Sequence, residues 1–206
     1  MELKKVNNQD IINGKYVINS QTEKLGEAVF AFCTNLEEIE IPRRIKEIPN
    51  EAFMYCLNLK KIYLNGVKKI GEYAFCGCTR LEEIALDNIE EFGIYGLAGC
   101  VSLEEVNLSE KLEKVSEGLF ESCVNLKKVL LNKVKIIESL AFAGCVSLSD
   151  LIIPDKIEKI NGDAFMVSNI NLFYNNQVIN DVKDISCIVK EDDQLKVVYS
   201  EGRLKK

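Results

Sequence analysis

Eight cysteines are spread along the 206 residues, and six of them, at 33, 56, 78, 100, 123 and 145, recur every 22 or 23 residues. A thiol column of this kind has two chemical readings: small apolar groups buried in a core, or disulfides in an oxidising compartment. Side chains that point the same way along a ladder seldom meet bridge geometry, which weighs against the second. Cys76 lies outside the column, and Cys76-Gly77-Cys78 has the form of half a metal or redox site. A tetrahedral metal would need a second pair or histidines, and the chain has no histidine at all. That absence also removes the usual general base and the partner of Ser and Cys nucleophiles, so the composition argues against an enzyme.

Carboxylates supply the second candidate chemistry. Glu82-Glu83 and Glu104-Glu105 stand 22 residues apart, at one position of the same period. Paired carboxylates can do acid and base work, hold a divalent cation, or receive a basic segment. They can also be a solvated face whose repulsion salt screens. Which of these applies depends on the elements that place them.

Those elements repeat. Leu36, Leu59, Leu81, Leu103, Leu126 and Leu148 each open an L-x-x-I-x-I pattern, as in Leu36, Ile39 and Ile41. Its alternating, β-branched second half predicts a short strand. After a turn of two or three residues comes an apolar pair three residues apart, such as Ile45 and Ile48, expected to bury behind the strand. Each unit closes on A-F-x-x-C or a relative: Phe53 and Cys56, Phe75 and Cys78, Leu97 and Cys100, Phe120 and Cys123, Phe142 and Cys145, and Phe165 with Ser168. The Phe-to-Cys spacing puts both on one helical face, which predicts a short convex helix or turn and a stacked Phe spine in the core.

The period divides the chain into residues 1–12 as an N-terminal cap, 13–169 as seven repeats, and 170–206 as a C-terminal cap. Asn13-Gly14 suits a tight hairpin turn. Residues 185–190 and 195–199 read as two strands of a terminal β-hairpin, and Leu204-Lys205-Lys206 is a basic tail that repeats the openings Leu59-Lys60-Lys61 and Leu126-Lys127-Lys128. One unit of this length cannot bury enough apolar surface to offset its backbone entropy, roughly 1–2 kcal/mol per residue; stacking is required.

Between the buried strand positions, three columns face the concave side. Two of them run Glu37-Glu38, Lys60-Lys61, Glu82-Glu83, Glu104-Glu105, Lys127-Lys128 and Ser149-Asp150, alternating in sign except where Glu83 should sit beside Glu105. The third runs Glu40, Tyr63, Ala85, Asn107, Leu130, Ile152 and turns apolar towards the C-terminal end. Glu40, Tyr63, Glu83, Glu105, Asn107, Leu130 and Ile152 are therefore the candidate partner-binding residues.

The whole pattern L-x-x-I-x-I-P-x-x-I-x-x-I-x-x-x-A-F-x-x-C, nearly complete in Leu36 to Cys56, closely resembles the BspA-like leucine-rich repeat family. The resemblance covers residues 13–169. It implies an α/β, right-handed leucine-rich-repeat solenoid with a concave parallel β-sheet, and roles in adhesion and protein binding at the cell surface without enzyme activity.

Bulk composition fits. With 47% apolar and 28% charged residues the chain can bury a continuous core. A net charge of −6 with mixed signs leaves no basic stripe for nucleic acid. Apolar runs are too short to span a bilayer, and the first residues, MELKKVNNQD, lead into no signal-like apolar stretch. A cytoplasmic protein is expected from the sequence as it stands, or a surface protein if an upstream segment is missing. The expected function is non-catalytic binding of a protein or glycan, without a cofactor; the alternative is a structural spacer in a longer surface protein.

Overall fold

The computed structural model describes the backbone of residues 1–175, 177–179, 185–191 and 194–199, and the side chains of residues 1–175 and of Ile188. Strands are short, as the brief runs of alternation dictate. In the first part of the chain they are β1 (Glu2–Leu3), β2 (Lys24–Leu25), β3 (Glu38–Glu40), β4 (Glu47–Ile48), β5 (Lys61–Tyr63) and β6 (Lys69–Ile70). The middle holds β7 (Glu83–Ile84), β8 (Glu91–Phe92), β9 (Glu105–Asn107), β10 (Lys114–Val115), β11 (Lys128–Leu130) and β12 (Ile136–Ile137). The last are β13 (Asp150–Ile152), β14 (Lys159–Asn161), β15 (Asn171–Tyr174), β16 (Gln177–Ile179), β17 (Ile185–Glu191) and β18 (Gln194–Tyr199).

Each coil thus contributes two strands and a run of turns. The L-x-x-I-x-I strands form a front parallel ladder in three segments: β3, β5 and β7; β9 and β11; β13 and β15. The apolar pairs form a second, back ladder of β4, β6 and β8, then β10, β12 and β14. Antiparallel strands close the C-terminal end: β16 pairs with β15 in front, and the β17–β18 hairpin adds to β14 behind. That hairpin lies where the two apolar runs place it; its turn residues Asp192 and Asp193, and the basic tail Leu204-Lys205-Lys206, lie outside the described residues.

The A-F-x-x-C segments are turns and not helices; among the described residues the one helix is the 3-10 turn Asn8–Asp10. The spacing is the same in both cases, because Cys56 N–H donates to the Phe53 carbonyl three residues back, at 3.1 Å. What differs is every second residue. Glu51 and Tyr55 take positive φ of 57° and 55°, which turns alternate N–H groups outward to the next coil. Glu51, Phe53 and Tyr55 each donate at 2.8 Å, to Glu72, Ala74 and Cys76 respectively. Backbone groups that a helix would satisfy internally are satisfied here by the neighbouring unit, a third ladder along the solenoid.

Inside, the Phe column is a stack. Ring centroids are 5.0 Å apart for Phe30 and Phe53, 5.3 Å for Phe53 and Phe75, 5.4 Å for Phe120 and Phe142, and 5.7 Å for Phe142 and Phe165, all nearly parallel. Leu97 fills the level between Phe75 and Phe120, fully buried. The cysteines beside it are more than small apolar groups. Each thiol donates to the carbonyl of the Phe position one coil back: Cys56 to Phe30 at 3.0 Å, Cys78 to Phe53 at 3.1 Å, Cys100 to Phe75 at 3.3 Å, Cys123 to Leu97 at 3.2 Å and Cys145 to Phe120 at 3.0 Å. Ser168 makes the same bond to Phe142 at 2.9 Å, so a hydroxyl replaces a thiol in this column because both donate.

The N-terminal residues are a shortened coil of the same kind. β1 pairs in parallel with β2, Val6 takes the Phe position and donates to Val29 at 2.8 Å, and Cys33 reaches the Val6 carbonyl. Asn13 and Gly14, with φ of 50° and 76°, then make the two-residue turn that their sequence suggests, and Lys15 bridges to Glu38 at the head of the front ladder.

One junction within the repeats is unpaired in both ladders. Among the described residues no backbone pairing joins β7 to β9 in front or β8 to β10 behind. The expectation that Glu82-Glu83 and Glu104-Glu105 lie on paired neighbouring strands is therefore corrected. Like charges on successive rungs oppose pairing, and two buried serines bridge the gap instead. Ser116 Oγ donates to the Phe92 carbonyl at 2.6 Å, and Ser109 Oγ to the Asp87 carbonyl at 2.9 Å. The turn ladder alone runs on unbroken, with Tyr95, Leu97 and Gly99 donating to Glu117, Leu119 and Glu121. Ser116→Ala leaves the buried Phe92 carbonyl without its donor, and the expected cost is about 1–3 kcal/mol in urea unfolding. A loss under about 0.3 kcal/mol would show that the junction does not depend on this bond.

Candidate functional site

Strand alternation sets the front face. Ile39, Ile62, Val106, Val129 and Leu151 point into the core and are buried, which leaves the residues on either side of each to face outward. Register then places the candidate residues: Glu40 opposite Tyr63, Asn107 opposite Leu130, and Ile152 opposite Phe173. Tyr63, Leu130 and Ile152 are exposed at 46%, 42% and 73%. They do not form one continuous strip, because Ala85 and Asn107 separate Tyr63 from Leu130.

Around the unpaired junction the face sinks into a shallow depression of about 360 Å³. Ile62, Ile84 and Val106 form its floor. Lys61, Glu83, Glu105 and Lys128 stand along one side, and Tyr63, Ala85, Asn107 and Leu130 along the other. Five of the seven sequence candidates line it: Tyr63, Glu83, Glu105, Asn107 and Leu130. Glu40 lies instead on a second depression with Lys15, Val17 and Pro42, which shares Tyr63 with the first. Ile152 lies beyond both.

Charge is unevenly satisfied across the face. Lys60 bonds Glu37 at 2.7 Å, Lys15 bonds Glu38 at 2.6 Å and Lys127 bonds Glu104 at 2.7 Å. The hydrogen bond from Lys60 holds the Glu37 carboxyl below the usual carboxylate range, and that from Lys15 does the same for Glu38. Ser149 and Asn171 together lower Asp150. By contrast the side chains of Lys61, Glu83, Glu105 and Lys128, the four charges on the depression, make no ion pair or hydrogen bond among the described residues.

The thiols offer no reactive group of this kind. Burial pushes Cys56 and Cys145 up to about 12, and Cys78, Cys100 and Cys123 well above 9.0. Cys76 is half-buried and also raised by burial, while its neighbour Cys78 is fully committed to the Phe53 carbonyl. Among the described residues no group of three or more Cys, Asp or Glu is placed to hold a metal ion.

Lys61 and Lys128 are site residues, and Phe173 a front-strand neighbour of Ile152, that the repeat pattern did not single out. The two lysines follow from register once the depression is seen. Phe173 was hidden because Ser168 to Leu172 is two residues shorter than Cys145 to Leu151, so the period slips just before its strand.

A parallel ladder in front, a second behind and stacked Phe and Leu levels between them make this a right-handed leucine-rich-repeat solenoid with the front ladder on its concave side. The chain belongs to the BspA type leucine-rich repeat family, whose repeat model matches in six copies over residues 13–127 and 46–172. It is similar to a leucine-rich cell surface protein from Faecalibacterium prausnitzii A2-165, with 27% identity over 98% of this chain and 52% of the other, and a TM-score of 0.70. It is also similar to the T. pallidum leucine-rich repeat protein TpLRR, with 30% identity over 63% of this chain and 62% of that one, and a TM-score of 0.59. The pneumococcal vaccine antigen PcpA shares the fold, at 18% identity over 84% of this chain and 44% of PcpA, with a TM-score of 0.55. The chain therefore spans 44% to 62% of the length of these three structures. No curated protein matches the sequence. Among the described residues no helix is long and apolar enough to cross a membrane.

Proposed function

We propose that this chain is a non-catalytic binding module at the bacterial cell surface that engages a protein partner through the concave front of its solenoid. The observation that carries the reading is the depression between Tyr63 and Leu130, an apolar floor bordered by four charged side chains that form no close ion pair among the described residues. Interfaces draw affinity from exposed aromatic and aliphatic anchors and specificity from the charges around them. A surface setting is supported by the F. prausnitzii protein, a cell surface protein by name. A glycan is the alternative ligand at the same face, through Tyr63. The reading of the chain as a spacer in a longer surface protein draws on its spanning 52% of that neighbour, and it requires no ligand at all.

Selection of ligands from a random peptide library and a glycan array on the purified chain separates these readings. Ligands so obtained are expected to lose about tenfold or more in affinity for the triple variant Tyr63→Ala, Leu130→Ala, Ile152→Ala. Alanine at Phe32 and Tyr55, an exposed stacked pair on the turn side at 5.5 Å, is expected to leave binding unchanged. Loss with the turn-side variant and not the front variant would overturn the assignment, and failure to select any ligand favours the spacer.

A further inference from the structure

The charges along the depression are ordered, and the order specifies a ligand. Lys61, Glu83, Glu105 and Lys128 occupy one position of four successive coils, so the side reads plus, minus, minus, plus. The two carboxylates line the depression on either side of the junction where, among the described residues, both strand ladders are unpaired, and each has a lysine opposite it on its paired strand, Lys61 for Glu83 and Lys128 for Glu105. A cation placed between them meets both carboxylates. Each lysine then offers a flanking site for an anion. Elsewhere on this face the corresponding charges are already matched, Glu37 by Lys60, Glu38 by Lys15 and Glu104 by Lys127.

Length follows from the coil spacing. Two paired steps of about 4.8 Å and the unpaired step from β7 to β9 separate Lys61 from Lys128, at least about 14 Å in all, and an extended chain advances about 3.3 Å per residue, so at least about five residues span the four charges. In an extended peptide alternate side chains point to opposite sides. One set would face the charged column while the other faces Tyr63 and Leu130 across the floor of Ile62, Ile84 and Val106. Ile84 is only partly buried, whereas its counterparts Ile62 and Val106 are 3% exposed, so the floor is open at the junction itself.

We infer that the depression recognises an extended peptide segment of a partner protein, acidic-x-basic-x-acidic in pattern with apolar residues at x, its basic side chain lying over Glu83 and Glu105. This rests on the front-face reading above and names its ligand class. By crossing from β7 to β9 the segment ties together the two halves of the solenoid that the strand ladders leave unjoined.

Two blocked synthetic peptides test it, Asp-Val-Arg-Val-Asp and Asp-Val-Asp-Val-Asp, with binding read by isothermal calorimetry and by amide hydrogen exchange over residues 104–107. The chain is expected to prefer the first peptide by about tenfold or more, since juxtaposed like charges penalise the second. Raising salt from about 0.05 M to about 0.5 M should weaken the first complex, and binding should slow exchange at the junction. The double reversal Glu83→Lys, Glu105→Lys is expected to invert the preference. Glu83→Gln, Glu105→Gln, which adds no charge, should abolish the preference without inverting it. An unchanged preference in both variants, or no binding of either peptide to the unaltered chain, overturns the inference. A peptide or neutral glycan that loses affinity with Tyr63→Ala and Leu130→Ala yet ignores both charge variants would leave the front-face reading standing and refute this one; a ligand indifferent to all of them refutes both.

Discussion

Replacing Phe53 by alanine is expected to lower the free energy of unfolding by about 3–5 kcal/mol, the usual cost of deleting a buried ring. Phe53 is fully buried and has parallel rings on both sides, Phe30 at 5.0 Å and Phe75 at 5.3 Å. The truncation therefore opens a cavity that two coils share, and neither can collapse without breaking the turn ladder that holds Phe53 N–H on the Ala74 carbonyl. Stacked aromatic pairs also contribute about 0.5–1.5 kcal/mol each beyond the buried area. Phe53→Leu is the informative control. Leu97 occupies the same position two coils later and is fully buried there, so the leucine variant should cost less than half as much. Phe165→Ala, at the end of the stack with one ring neighbour and 5% exposure, should also cost less than Phe53→Ala. Denaturant unfolding monitored by circular dichroism gives all three numbers. A Phe53→Ala loss below about 1 kcal/mol would mean that the column is not a shared core.

Alkaline pH is expected to unfold the chain through its cysteines. An ordinary thiol ionises near 9.0, but burial pushes Cys56 and Cys145 up to about 12, and the wholly buried Cys78, Cys100 and Cys123 rise as well. The folded pKa is the higher one, so the stabilisation is complete below about pH 9 and is lost as pH climbs towards about 12. In that window the unfolded chain binds fewer protons than the folded one, and stability falls by about 1.4 kcal/mol per pH unit for each such thiol. Cys56 and Cys145 alone then give a slope of about 2.7 kcal/mol per pH unit. The double variant Cys56→Ser, Cys145→Ser keeps a donor at each position, as Ser168 does with the Phe142 carbonyl at 2.9 Å, but cannot ionise. Its urea-derived stability, measured under reducing conditions between about pH 9 and 11, should decline less steeply by that amount. Identical slopes for the two proteins would contradict the burial of these thiols.

How much of this was legible in the sequence depended on how many constraints each residue carries. Phe and Cys columns stand out because one large ring and one small donor must recur at every coil, and the spacing survives even where Leu97 and Ser168 substitute. The turn at Asn13-Gly14 was readable because few other residues accept positive φ twice in succession. Helix and turn could not be told apart in A-F-x-x-C, since both bring residues three apart together and the deciding features, positive φ at residues such as Glu51 and Tyr55, fall on residue types that do not announce them. The back ladder was missed as strands because two-residue elements such as β4 and β6 show no alternation. Val6 gave no sign of standing in the Phe column, being a smaller residue in a coil without an A-F motif.

The site was legible as a list of outward positions and illegible as a shape. Tyr63, Glu83, Glu105, Asn107 and Leu130 follow from strand alternation alone. What the period could not convey is that the stack opens between β7 and β9, because the core residues of both coils obey the repeat. The only local signals were Ser109 and Ser116, polar residues that turn out to be buried and bonded across the gap. The opening is what turns a flat face into a depression and gathers Lys61 and Lys128 to the carboxylates.

The most direct test of the account is a crystal structure of the chain with a peptide selected for binding to it. The bound segment should lie along the solenoid axis across the front ladder, touching Tyr63 and Leu130 and spanning the β7–β9 junction. A ligand seated on the turn side around Phe32 and Tyr55, or on the closing strands β16 to β18, would contradict it.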